Sequence, residues 1–158
     1  MILDNFLEFA DNASVAAGAG TALIGDVIDL GGTSQDIGNG EPLYLVIKTG
    51  ATEIITAGAA GTIKFDLCSD AAATLASAVV ANCTTHLTSA TLITDDAAVN
   101  STELNAGEKI FVAALPAGTY ERYLGILCTI ATTTVTAGTI DAFLTKDVSK
   151  WIATPDAL

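Results

Sequence analysis

The strongest constraint in this chain is a two-residue period that runs through residues 116–147, PAGTYERYLGILCTIATTTVTAGTIDAFLTKD. Leu124, Ile126, Cys128 and Ile130 recur at every second position, with Tyr123, Gly125, Leu127 and Thr129 between them. Successive side chains of a strand point to opposite faces, so this spacing lines up one apolar row, whereas a helix would scatter the same residues around its axis. Beyond a bend at Thr136-Ala137-Gly138 the pattern returns, with Ile140, Ala142 and Leu144 on one face and Asp141, Phe143 and Thr145 on the other. The two runs predict two long strands joined as a hairpin. A hairpin alone is marginal in water, so a larger sheet must receive it.

Other segments supply that sheet. Residues 62–69, TIKFDLCS, alternate cleanly: Ile63, Phe65 and Leu67 are expected in the core, and Lys64 and Asp66 on a wet face. Residues 42–48, PLYLVIK, form a nearly unbroken apolar run of strand length, which predicts burial on both faces. In residues 23–30, LIGDVIDL, Ile24, Ile28 and Leu30 share a side, Asp26 is the exception, and Gly31-Gly32 marks the end. Further β segments are expected at 51–57, at 84–94 around Leu87, Leu92 and Ile93, and at 108–115, closed by Pro116-Ala117-Gly118. Residues 70–81 fit either a short helix capped by Asp70 or a strand. Gly38-Asn39-Gly40 lies in a dense cluster of turn formers; without a third glycine, a helix or a Lys-Ser/Thr pair it is a turn and not a phosphate loop.

About eight strands with turns between them, and no alternating long helices, predict an all-β antiparallel sandwich or jelly roll. Its 158 residues form one domain, large enough to bury roughly 70% of the unfolded surface. The termini are expected to extend from it, as an N-terminal arm over 1–22 and a C-terminal tail over 147–158. Within the arm, residues 2–11 fit both a helical stripe and one side of a strand, with the extended form favoured, and 13–22 are Ala/Gly-rich.

Charge excludes whole classes of partner. Eighteen acidic against six basic residues give a net charge of −12, which opposes nucleic-acid binding, since that needs a basic footprint to displace counterions. An anionic membrane surface is opposed for the same reason. The first residues carry acids where a signal peptide would carry Lys or Arg, and no stretch approaches the ~20 apolar residues of a membrane span. The chain is therefore expected to lack both leader and anchor and to be made in a cytoplasm. Cys68, Cys83 and Cys128 are odd in number and widely spaced, which predicts buried thiols and no disulfide or metal site. His86 is the only histidine and has no patterned nucleophile beside it, and the calcium-loop pattern is missing around Asp95-Asp96. No enzymatic activity, cofactor or metal is expected.

Three segments, MILDNFLEFAD, DVIDLGGTSQDIGNGEPLYLVI and YERYLGILCTIATTTVTAGTIDAFLTKD, in this order and spacing, resemble the capsid cement proteins of tailed podophages, of the type found on Bordetella phage. The resemblance is weakest over residues 70–105. It implies a jelly-roll β-sandwich on the outer surface of the virion, bridging capsomers of the major capsid protein and often acting as a homodimer. Ala/Thr/Gly-rich sandwiches also serve as cell-surface or pilus-type adhesion modules, which normally carry a signal peptide. Phe6, Leu7, Phe9, Trp151 and Ile152 have no place in the strand pattern, so they are the candidate interface residues for a dimer or for the shell. The other reading is that both ends fold back over the domain's own sheets.

Overall fold

The alternating segments form strands, and the computed structural model describes residues 5–37, 40–56, 61–73, 75, 83–94 and 102–148. In chain order the strands are β1 (Glu8–Ser14), β2 (Gly20–Ile37), β3 (Tyr44–Thr49), β4 (Ile55–Thr56), β5 (Thr62–Asp70), β6 (Thr84–Thr88), β7 (Leu92–Ile93), β8 (Lys109–Ala114), β9 (Gly118–Ala131), β10 (Val135–Ala137) and β11 (Thr139–Thr145). Single 3-10 turns occupy Asn5–Leu7 and Thr102–Leu104.

Two antiparallel sheets face each other, one in the order β1-β11-β3-β8 and the other in the order β2-β9-β5-β6, with β7 also paired to β5. The fold is an antiparallel β-sandwich. Among the longer strands the pairing is nested: β1 lies on β11, β2 on β9, β3 on β8 and β5 on β6.

Between the sheets, Ile63, Phe65 and Leu67 of β5 and Leu124, Ile126, Cys128 and Ile130 of β9 meet Leu45, Ile47, Ile140, Ala142 and Leu144 of the opposite sheet. Every one of these side chains is buried. Burial at roughly 25 cal/mol per Å² of apolar surface makes this the main stabilising term of the fold. In β3, Leu45 and Ile47 face inward and Val46 outward by register, and all three are buried, in keeping with the apolar run that forms the strand.

The two runs with the strongest period are not a hairpin. β9 lies between β2 and β5, whereas β11 lies between β1 and β3 in the other sheet. The connection crosses the sandwich: Thr132 takes a φ of 75°, β10 pairs with β4, and Gly138 passes Ile54 too closely to admit a side chain. Alternation reports which side of a strand is apolar, and it looks the same whether two such rows lie side by side or face to face across a core.

Three other expectations need correction. Residues 8–14, expected within an extended arm, form the edge strand β1, whose Ala10 and Ala13 pair with Ala142 and Ile140. β2 does not end at Gly31-Gly32 but runs on to Ile37. The outer face of β5 is not wet, because Cys68 packs with Leu75, Leu127, Leu23, Val27 and Cys83 in a second apolar cluster, and Asp66 and Asp70 are buried beside it. Residues 74 and 76–81, which held both a helical and a strand reading, lie outside the described residues, as do Asp95 and Asp96.

Candidate interaction surface

β1 and β2 are the edge strands of their respective sheets, and they run past each other at one corner of the sandwich. β2 cannot follow its partner smoothly. Between the pairs Ile24↔Ile126 and Ile28↔Leu124 it places three residues against one, and between Asp29↔Tyr123 and Ser34↔Glu121 four against one. Surplus residues leave the ladder as bulges, which bend a strand and re-aim its side chains. Gly25 opens the first bulge at a φ of 69°, where a built Cβ would lie 2.0 Å from the carbonyl oxygen of Phe9. Only glycine lets the bulge approach β1 this closely.

The two irregular edges enclose an open groove of about 690 Å³. Glu8, Asp11, Asp26 and Asp29 supply four carboxylates, and no basic side chain is among the lining residues. Phe6 stands at the rim, 83% exposed. Asp29 is held at one end by Arg122, whose Nε and Nη2 donate to its two oxygens at 2.9 and 2.8 Å, while the Gly31 N–H donates to Oδ1 at 2.8 Å. Those hydrogen bonds, the Arg122 one foremost, hold the Asp29 carboxyl down at about 2. The Arg122 guanidinium also lies 4.9 Å from the centre of the Tyr123 ring.

A second polar cluster resembles a catalytic pair only at first sight. His86 Nε2 lies 2.8 Å from Ser69 Oγ, and the Glu121 N–H donates to the same oxygen at 3.2 Å. Ser69 has no exposed surface, so its hydroxyl cannot be approached by a substrate and instead ties β5 to β6 and β9. The His86 ring stacks on Tyr120 at 3.8 Å between centroids, and Tyr120 Oη donates to the Pro116 carbonyl at 2.8 Å. Burial lowers the pKa of His86. Cys68 and Cys128 are buried free thiols, each pushed up to about 12, chiefly by burial; Cys83 is half-buried.

The sequence candidates for an interface separate. Phe6 is exposed at the groove. Leu7 is half-buried against the core, and Phe9, 1% exposed, is a core residue that has no side-chain surface to offer a partner. Its place in β1 explains why: a residue beyond the predicted sandwich would need a partner, whereas one in an edge strand already faces the opposite sheet. Trp151 and Ile152 lie outside the described residues. Sequence reasoning missed Glu8, Asp11, Asp26 and Asp29 as a group. The available signal was Gly25-Asp26, a glycine followed by a charge on the apolar side of a strand, which marks a bulge.

A protein-family model, Bbp16, matches residues 9–144, from within β1 to within β11 and thus across both sheets. No curated protein matches the chain.

Proposed function

The chain belongs to the Bbp16 family, whose name points to a Bordetella phage protein, and from that membership we propose that it is a non-enzymatic capsid cement protein. In this reading it binds the outside of the phage head and bridges neighbouring capsomers of the major capsid protein, acting as a homodimer. The family match across the whole sandwich carries the reading. The nested pairing of β1 with β11, β2 with β9, β3 with β8 and β5 with β6 supports a jelly roll, an architecture used by viral capsid domains among others. The charge of −12 favours the outer surface over contact with the packaged genome. Bridging works by multivalency: a pair of protomers contacts several shell subunits at once, so modest interfaces combine into lasting attachment.

Purified protein added to heads assembled without it provides the test. Density on the outside of the shell in a cryo-EM map, spanning adjacent capsomers, is the expected result. Bare heads at saturating protein, together with native particles whose maps lack this sandwich, would refute the proposal.

A further inference from the structure

We propose that the groove between β1 and β2 is the docking surface for the shell, and that its occupant is a basic segment of the major capsid protein carrying an apolar side chain next to Lys or Arg. This rests on the cement reading above and names the surface that reading leaves unspecified.

Charge selects the occupant. Of the four groove carboxylates, Asp29 is already neutralised by Arg122. Glu8, Asp11 and Asp26 have no ion-pair partner among the described residues, although the chain's Lys48, Lys64, Arg122 and Lys146 all form such pairs elsewhere. Three carboxylates that the described residues leave unpaired around one concavity repel a second copy of the same surface and any polyanion, and they attract a cation. A small cation would satisfy the charge but not the apolar part of the site. Phe6 is the most exposed large apolar side chain among the described residues, and it stands at the same rim. Aromatic side chains, Phe among them, are enriched at protein interfaces, where a few anchors carry most of the binding energy. The groove volume falls within the range of clefts that enclose small ligands or a few side chains, so it suits a short segment and not a whole domain face.

The bulges also explain why this edge is available for recognition. Unmodified edge strands invite indiscriminate strand pairing, and bulges with charged residues block it. At this corner the blocking devices surround a hollow, so the edge refuses a generic strand yet can accept a complementary segment.

Two variants of the full chain test the proposal against heads assembled without the protein: Phe6→Ala, and the triple Glu8→Gln, Asp11→Asn, Asp26→Asn. Glu108→Gln, an exposed acid outside the groove, is the control. Both groove variants should keep the parent melting temperature and lose tenfold or more in head affinity, and the triple should also lose most of the parent's salt dependence. The control should bind as the parent does. If the parent decorates heads and both groove variants match it, the groove is not the docking surface while the cement function stands. A loss with Phe6→Ala but none with the neutralised triple overturns the basic occupant. Failure of the parent itself to bind heads removes the cement reading and the shell-docking role together.

Discussion

Gly25→Ala is the sharpest test of the corner where the two sheets meet, because two separate penalties coincide there. A side chain at a φ of 69° sits in the left-handed region, which costs about 1–2 kcal/mol for an L-residue other than glycine. The added Cβ would also stand 2.0 Å from Phe9 O, 2.9 Å from Phe9 C and 3.1 Å from Ala10 Cβ. The two closest atoms are backbone, so no rotamer change relieves the clash; β1 has to move, and it holds Phe9 and Ala10 in the core. Overpacking of this kind costs typically about 1–3 kcal/mol, so the full effect should be about 2–5 kcal/mol. Gly31 is the internal control: its φ of 78° is nearly the same, yet nothing lies within 4 Å of its Cβ position. Gly31→Ala should therefore cost only the conformational part, about 1–2 kcal/mol. Urea denaturation of the three proteins with equal slopes gives the difference directly, and in a chain of this size each kcal/mol corresponds to about 2–4 °C in Tm. If Gly25→Ala were no more destabilising than Gly31→Ala, β2 would not press on β1 and the groove would have a different shape.

Phe65→Ala should cost about 3–5 kcal/mol, since the ring is 1% exposed within the core cluster; a loss under 1 kcal/mol in urea denaturation would mean that β5 does not face the opposite sheet. His86 should make stability pH-dependent. Its folded pKa lies below the ordinary value of about 6.5, so the unfolded chain binds the proton first, and the contribution is complete above pH ~6.5 and lost as the pH falls below it. Thermal melts between pH 8 and 5 should show a decline that His86→Gln flattens, and an unchanged slope in that variant would assign the decline to other groups. Iodoacetamide at pH 8 should modify Cys83 well before Cys68 or Cys128, because a thiol raised to about 12 holds almost no thiolate at that pH; equal labelling of all three in the folded protein, followed by peptide mapping, would contradict their burial.

The faces of the strands were legible because each strand carries its own record of them. Ile63, Phe65, Leu67, Leu124, Ile126, Ile140 and Leu144 are all expected in the core from local alternation, and all are buried. Partnership between strands has no such local record. β9 and β11 are separated by a short linker with turn residues, which a hairpin and a crossing between sheets both require, and the distinction lies in their partners far along the chain, β2 and β5 for β9 but β1 and β3 for β11. The outer face of β5 was misjudged for a related reason. Lys64 and Asp66 suggested water, but Leu75 and Leu127 cover the neighbouring Cys68 from elsewhere in the chain, and a charged residue beside such a patch becomes buried with it.

The groove was harder to anticipate because it arises where the period fails. A regular β2 would put Ile24, Asp26 and Ile28 on one face, and Asp26 would then be a charge in the core, at a cost of several kcal/mol. The extra residues between the pairs Ile24↔Ile126 and Ile28↔Leu124 resolve that conflict: both isoleucines stay buried, and Asp26 swings out to the solvent. The same detour sets Asp26 in one groove with Glu8 and Asp11 of β1, and the Gly25 contact with Phe9 fixes how closely the two strands approach. An isolated charge in an otherwise apolar row, preceded by glycine, thus has a specific structural meaning in an edge strand. It marks a place where the chain gives up ladder hydrogen bonds in order to present side chains, and at this corner the side chains presented are acidic, lie beside an exposed phenylalanine and surround a hollow.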